Sequence, residues 1–302
     1  MTYTQDYRSF QVQPRLGLDQ MRLFVRRKEH SNPMMDSVCK LLDRLAAGAS
    51  PVEIEELIRR DVQLTLRIVK VAGAPAFGGK QIHSVRHAID LLGYDQLRSI
   101  VSTVSLFSAS NKRILGPGVT TERFQRRSLL LALLSRTLAD RLGFQNQETH
   151  FMAGLLQECG YLPIARLLPD RLEQIVAVLA RTNVKDIMEL EDYYLGFTHA
   201  DAGRIFGEEY NFCEHVLEAI SHHHCSAFAK PESQEYADIA HLASWIADQL
   251  GLTAFEGSRP HDLDKYAAQR LGVDPSSLDS TFMSVHQSTA NATFEALTSC
   301  RQ

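Results

Sequence analysis

Apolar residues recur at helical spacing in nearly every patterned segment of this 302-residue chain, and this periodicity constrains its fold most strongly. Between residues 33 and 47, for example, the apolar positions include Met34, Val38, Leu41, Leu42 and Leu45. Steps of three and four residues place such side chains on one face of a helix. Because no segment shows the alternation of a half-buried strand, the sequence predicts an all-α protein built as a multi-helix bundle.

Capping residues, prolines and glycines mark the helix boundaries. Ser50 and Pro51 fit the N-cap and first position of a helix that runs to about Arg60. Gly73, Gly93 and Gly143 are predicted to end three other helices. Helices are also predicted over residues 33–47, 64–71, 82–92, 97–107, 122–142, 148–156, 172–182, 184–195, 200–210, 214–223 and 236–250.

The chain is predicted to contain one domain over residues 33–250, flanked by two shorter segments. A hinge at 111–121, which contains Gly116-Pro117-Gly118, divides the domain into parts 33–110 and 121–250. The weakly patterned residues 1–32 form an N-terminal arm or packing segment, and residues 251–302 a C-terminal helical extension. In that extension a packed helical pair is expected from the spacing of Tyr266, Leu271, Leu278, Phe282 and Val285.

Composition and charge exclude several classes of protein. The net charge of −4 provides no overall attraction to nucleic acid or to a membrane surface. The five cysteines lack C-x-x-C spacing, which is typical of reduced thiols in a cytoplasm. The first ten residues have no apolar signal segment, and the longest uncharged apolar run, 128–135, is too short to span a bilayer. We therefore expect a cytoplasmic protein without membrane contact.

Three blocks of residues each contain a distinct sequence motif. They are Asp61-x-x-Leu64 with 67–72 and Ala76-Phe77-Gly78, then Ile82-x-Ser84-Val85-x-x-Ala88-Ile89-x-x-Leu92-Gly93, and finally Glu191, Gly196, His199-Ala200, Gly203, Ala219-Ile220 and His223-His224. Together they resemble the HDOD domain, the HD-related output domain of bacterial signalling proteins. The resemblance implies an HD-like helical bundle with an N-terminal helical subdomain. The chain departs from the family at Val62, Gly73-Ala74 and Tyr210.

The resemblance also bears on catalysis. Catalytic members of the HD superfamily bind a metal ion through a first His, a His-Asp pair and a late Asp. Carried over to this chain, these positions are Arg127, Gln157-Glu158 in the stretch 153–160, and Ser244. An amide is a poorer metal ligand than imidazole, and a guanidinium repels a cation. The resemblance therefore implies no catalytic residue, no metal and no other cofactor.

Two hypotheses apply to the arginines at 123, 126 and 127, which share one helix face. The favoured one is structural: Arg127 forms a salt bridge with Glu158 that fills the former metal pocket, and the others lie in solvent. The alternative is that the three bind a phosphate or an acidic partner through bidentate contacts.

Two hypotheses also apply to His222-His223-His224. Consecutive helical residues point about 100° apart, so these three side chains cannot all converge on one ion. His199 with His223 or His224, together with Glu191, could form a metal site in the folded chain. Helix-terminal packing or ligand contact is the simpler interpretation and is preferred.

The sequence thus favours a non-enzymatic bacterial signal-transduction module that binds a partner protein or a small ligand. The candidate binding residues are Arg123, Arg127, Gln157, Glu158, Glu191, His199 and His223. The alternative is a residual metal-dependent phosphohydrolase or phosphodiesterase that uses Glu158, His199 and His223. Nucleic-acid binding through Arg22, Arg26, Arg27 and Lys28 is disfavoured, because they lack a helix-turn-helix context. The partner, the signal and the oligomeric state stay open.

Overall fold

The computed structural model describes residues 17–27, 33–78, 81–109, 120–182, 184, 186–210, 212–256, 258–274 and 280–298. Within these ranges the regular structure is helical and no β-strand occurs, so the all-α prediction is confirmed. None of the described helices is both long enough and apolar enough to cross a membrane. Nearly all of the predicted hinge lies outside the described residues.

The N-terminal helices are α1 (Leu18–Arg26), α2 (Pro33–Ala46), α3 (Pro51–Arg59), α4 (Val62–Ala72) and α5 (Val85–Ala109). The predicted start of α3 is confirmed, because Ser50 Oγ accepts the backbone N–H of Glu53 at 3.3 Å. Asp61 caps α4 in the same way. Helix α5 is interrupted at Gly93, whose φ of 71° is not helical. The two helices predicted on either side of this glycine therefore exist and meet at a kink.

The remaining helices are α6 (Thr121–Arg141), α7 (Gln147–Leu156), α8 (Tyr161–Leu167), α9 (Pro169–Leu179), α10 (Ile187–Leu195), α11 (His199–Glu209), α12 (Glu214–His222), α13 (Gln234–Gln249), α14 (Lys265–Arg270) and α15 (Ser280–Thr298). Most agree with the predictions to within three residues. No helix was predicted at α8. This helix is short and nearly all buried, so its sequence lacks the alternation of apolar and polar faces that indicates a helix.

Helix α6 is the centre of the core. Residues 129 to 134 are buried on every side, and α7, α13 and α15 pack around them. A helix that is apolar all round must be enclosed in this way. Helix α7 comes closest at Gly154, where a Cβ would lie 2.5 Å from the carbonyl oxygen of Leu131. Glycine at 154 thus allows α7 to bring the chain segment at 157–160 beside α6.

Helix α1 packs against α8 and α11. Met21 and Val25 are fully buried there, and Arg22 Nη1 donates to Glu208 Oε2 at 3.2 Å. The described part of the N-terminal segment is therefore integrated into the packed structure.

The C-terminal extension contains the expected helices α14 and α15, and Leu271 of the predicted packing face is buried, but two other residues of that face are not. Tyr266 is 71% exposed and Val285 is 54% exposed. Helix α15 instead buries Ala290 and Phe294 against α6 and α4. The contact face includes small residues, which give little hydrophobic signal in the sequence. The same prediction included two residues whose side chains lie outside the described part of the chain, Leu278 and Phe282.

Candidate functional site

A cleft of about 250 Å³ opens beside α13. Leu179, Val184 and Ile187 contribute apolar surface, whereas other lining residues are charged or carry imidazole rings. Two groups of polar residues contribute to this cleft: all four members of the first line it, and His224 of the second does so too. We call them the arginine cluster, which consists of Arg127, Glu158, Ser244 and Asp248, and the histidine cluster, which consists of Glu191, His199, His223 and His224.

The arginine cluster is organised by a single guanidinium. Arg127 Nε donates to Glu158 Oε1 at 3.1 Å, Nη1 to Asp248 Oδ1 at 2.8 Å, and Nη2 to Ser244 Oγ at 2.8 Å. Nη1 also donates to the carbonyl of Leu252. The ion pair that the sequence predicts between Arg127 and Glu158 is therefore present. Glu158 and Ser244, two positions that the resemblance assigns to metal ligands, are thus both bonded to Arg127, which stands at a third.

Charges within the cluster reinforce one another. Burial alone would lower the pKa of Arg127, but Asp248 and Glu158 more than offset it and raise this pKa. Burial alone would raise the pKa of Asp248, yet Arg127 and His261 hold it below its usual value. His261 Nδ1 lies 2.8 Å from Asp248 Oδ2. The cluster is thus a compensated unit with an internal cation and two carboxylates.

Gln157 lies next to this cluster in sequence but is not part of it. Its side chain is fully buried, and neither the amide nitrogen nor the amide oxygen has a hydrogen-bond partner. It is not one of the residues that line the cleft. An unpartnered buried amide is costly, so this position stands out as locally frustrated.

The arginines on the same face of α6 have separate partners. Arg123 donates to the carbonyl oxygens of Gly251 and Thr253, at 3.2 and 3.0 Å. Burial, followed by repulsion from Arg127, lowers the pKa of Arg123. Arg126 donates to Glu122 at 2.8 Å and to Glu295 at 2.7 Å. The Arg127–Glu158 salt bridge agrees with the structural hypothesis for this face, whereas Arg123 and Arg126, which it expects in solvent, are bonded within the chain.

The histidine cluster begins with His199, the first residue of α11. His199 Nδ1 lies 2.7 Å from Glu191 Oε2, and its backbone N–H donates to the same oxygen at 2.9 Å. The hydroxyl of Tyr161 donates to Glu191 Oε1 at 2.6 Å. Since an ionised carboxylate can only accept, these contacts place a proton on His199 Nδ1.

His223 and His224 approach His199 because α12 ends at His222. His199 Nε2 lies 3.2 Å from Nε2 of His223 and 3.2 Å from Nε2 of His224. His223 Nδ1 is 2.9 Å from the carbonyl oxygen of Ile220. His222 is directed elsewhere, with Nε2 3.6 Å from Glu218. Two of the consecutive histidines converge with His199 and the third does not, as the angular argument requires.

The imidazoles differ in their affinity for protons. Burial lowers the pKa of His199, but the Glu191 carboxylate more than offsets it, so that this pKa is raised. Burial and the neighbouring His199 lower the pKa of His223 well below its ordinary value. Burial, His223 and His199 do the same for the pKa of His224. At neutral pH the last two rings are therefore neutral.

Glycine at 160 places His199 in this position. A Cβ on Gly160 would lie 1.9 Å from the carbonyl oxygen of His199 and 2.6 Å from the backbone nitrogen of Gly203. The chain just before α8 can therefore cross the start of α11 only if residue 160 has no side chain. Buried Cys159 lies at the same crossing, where burial raises the pKa of its thiol and leaves it inert.

Sequence reasoning grouped some of these residues and missed others. Glu191, His199 and His223 come together, and so do Arg127 and Glu158. Asp248 was missed, although it lies one helical turn after Ser244 on the same face of α13. Tyr161 and the paired use of His223 and His224 were also missed, because both depend on where short helices end.

Known structures share this fold. A protein from Shewanella amazonensis, provisionally named a phosphohydrolase, is 21% identical with a TM-score of 0.72, over 92% of this chain and 98% of that one. An HDOD domain protein of unknown function from Geobacter sulfurreducens is 22% identical with a TM-score of 0.72, over 92% and 99%. A protein from Marinobacter aquaeolei, provisionally named a signal transduction protein, is 18% identical with a TM-score of 0.73, over 96% and 62%.

At these identities the structures establish similarity of fold alone. No curated protein matches the sequence significantly. The HDOD domain family, in contrast, matches residues 33–226, about two thirds of the chain. The chain therefore belongs to the HDOD domain family.

Proposed function

We propose that this protein is a non-enzymatic signal-transduction module whose cleft binds a small ligand or a side chain of a partner protein. The observation that carries the proposal is the position of Arg127. Its guanidinium lies among Glu158, Ser244 and Asp248, where the resemblance places the catalytic metal of active relatives. A fixed positive charge there repels a divalent cation, and both carboxylates are already paired with it.

The chemistry of the cleft supports recognition of a small molecule. At about 250 Å³ it is slightly smaller than typical ligand pockets, and it combines an apolar wall with convergent polar groups. Asp186, His224 and His261 are among these polar groups. Such a lining fits a compact ligand with hydrogen-bond donors on one side and an apolar surface on the other.

The alternative function is a metal-dependent phosphohydrolase that uses Glu158, His199 and His223. The provisional name of the Shewanella protein favours it. However, Glu158 Oε1 is held by Arg127 at 3.1 Å, whereas His199 and His223 contact each other at a different place. The carboxylate of this proposed set is thus engaged by a cation of the chain itself.

Blocking the cleft tests the proposal in the cell. Cys225 is exposed and lines the cleft, while Ala227 is exposed nearby and does not line it. We expect Cys225→Trp to abolish complementation of a deletion strain without lowering the melting temperature. Ala227→Trp is the matched control and should complement fully. Equal complementation by both variants would contradict a role for the cleft.

Turnover separates the two functions directly. Purified protein supplied with Mn²⁺, Fe²⁺ or Ni²⁺ should hydrolyse neither phosphomonoesters nor cyclic dinucleotides. Hydrolysis that is lost in Glu158→Gln while the variant stays folded would establish the phosphohydrolase instead.

A further inference from the structure

We propose that His199, His223 and His224 form a binding site for a transition-metal dication of the zinc class, separate from the arginine cluster. The sequence assigned no metal to the chain and preferred a packing role for these residues. The three residues each offer one ligand atom, and these atoms all lie within 4.8 Å of one another.

The spacing of the nitrogens fits coordination. His199 Nε2 lies 3.2 Å from Nε2 of His223 and 3.2 Å from Nε2 of His224. Zinc binds imidazole nitrogen at about 2.0–2.1 Å, so two nitrogens on one tetrahedral ion are about 3.3–3.4 Å apart. The two separations that involve His199 are therefore close to those of nitrogens sharing one ion.

The outer hydrogen bonds direct lone pairs into this space. His199 Nδ1 is bonded to the Glu191 carboxylate and His223 Nδ1 to the carbonyl of Ile220, both of which only accept. Each ring thus carries its proton on Nδ1 when neutral, and its Nε2 presents a lone pair. A cation between the neutral rings accepts these lone pairs, in the place that a proton on His199 Nε2 would otherwise occupy.

Glu191 provides the support that metal-binding histidines have in other proteins. A carboxylate bonded to the outer nitrogen fixes the ring and strengthens the inner nitrogen as a ligand. Glu191 itself is held by the Tyr161 hydroxyl at 2.6 Å and by the backbone N–H of His199 at 2.9 Å. Its negative charge also partly offsets the cost of burying a dication.

The donor set selects the class of ion. Three imidazole nitrogens suit Zn²⁺, Ni²⁺, Cu²⁺ and Fe²⁺, whereas Mg²⁺ and Ca²⁺ require oxygen ligands. His224 also lines the cleft, so an ion held by the three rings would lie next to it. A three-histidine site with a further position available resembles sites that bind an exchangeable ligand.

Metal titration of untagged, chelator-treated protein tests the proposal. By calorimetry we expect one equivalent of Zn²⁺ to bind, and no Mg²⁺. Bound Co²⁺ should give the visible absorption of a four-coordinate nitrogen site. His199→Asn and His223→Asn should lose equimolar Zn²⁺ uptake, whereas the adjacent His222→Asn should bind as the wild type does.

A conservative change outside the coordination sphere keeps the test decisive if the histidine variants do not fold. Glu191→Gln should bind Zn²⁺ about 10–100-fold more weakly. The proposal is overturned if the folded wild type takes up no Zn²⁺ at equimolar concentration. It is also overturned if ¹⁵N spectra of Zn²⁺-loaded protein show protons on Nε2 of His199 and His223, or if His222→Asn loses as much binding as His199→Asn.

Discussion

The arginine cluster lines the cleft and the histidine cluster reaches it through His224, and the two clusters bury charge in opposite ways. The first buries two carboxylates and includes its own cation, the guanidinium of Arg127. The second buries one carboxylate beside three imidazoles, and two of its rings have pKa values well below the ordinary range. In the first cluster each charge therefore has a partner within the chain, whereas the second brings the Nε2 atoms of His223 and His224 to 3.2 Å from that of His199. The comparison indicates that one arginine can compensate two buried carboxylates within the chain while a histidine cluster persists nearby.

Removing the internal cation should have the largest effect. Arg127→Ala leaves Glu158 and Asp248 buried without a partner charge, which we expect to cost about 3–5 kcal/mol of unfolding free energy. Urea unfolding measures this loss. A loss below about 1 kcal/mol would show that the cluster is hydrated rather than compensated, and the contrast between the clusters would disappear.

Arg126→Ala is the matched control on the same helix. Its ion pairs with Glu122 and Glu295 are solvent-exposed on the carboxylate side, so the loss should stay below about 1 kcal/mol. Millimolar Mn²⁺ should raise the melting temperature of Arg127→Ala by replacing the lost cation between Glu158 and Asp248. The same addition should leave Arg126→Ala unchanged.

The second-largest loss of stability is expected at Gly160, the residue that positions His199. Gly160→Ala places a methyl group against the backbone of His199 and Gly203, neither of which can rotate away. We expect a loss of about 3 kcal/mol or more in unfolding free energy. Gly203→Ala at the same crossing meets the side-chain methyl Cγ2 of Ile220 at 2.6 Å, which can shift, so its loss should be smaller. Equal losses would mean that the crossing is looser than its geometry implies.

A buried histidine outside the cluster, His150, sharpens the comparison through pH. His150 has no hydrogen-bond partner at either ring nitrogen, and burial together with His215 lowers its pKa to about 3. In the unfolded chain a histidine binds its proton near pH 6.5. Stability from this group is therefore full above pH 6.5 and falls by about 1.4 kcal/mol per pH unit as the pH drops toward 3.

The pH dependence of the stability that His199 contributes has the opposite sign. Its raised pKa contributes stability below the unfolded value near 6.5, and this contribution disappears as the pH rises through the folded pKa. We expect His150→Phe, which keeps the stacking on Tyr236, to flatten the decline of stability between pH 6 and 4 in a series of urea titrations. An unchanged slope would assign the acid sensitivity to His223 and His224 instead.

The sequence predicted the parts of this structure that depend on local signals. Helical periodicity located most helices, the predicted helix end at Gly93 coincides with the kink, and the Arg127–Glu158 pair followed from the family pattern. The sequence missed what depends on distant packing. Asp248 reaches Arg127 across 121 positions in the chain, and the convergence of both His223 and His224 on His199, where the sequence offered one or the other, requires α12 to end at His222. Neither relation has a periodic signature, because both arise where separate helices cross.

The smallest predicted effect is a gain in stability, at Gln157. This fully buried amide has no partner at either polar atom, whereas Gln125, also buried, has an interaction partner. Methionine has nearly the same shape as glutamine and needs no hydrogen bonds. We therefore expect Gln157→Met to raise the unfolding free energy by about 1 kcal/mol, and Gln125→Met to lower it by about as much. Chemical denaturation of the two variants gives the comparison. If both changes destabilise the protein equally, the Gln157 amide has a hydrogen-bond partner in solution, and position 157 is not a frustrated site in the packed frame around it.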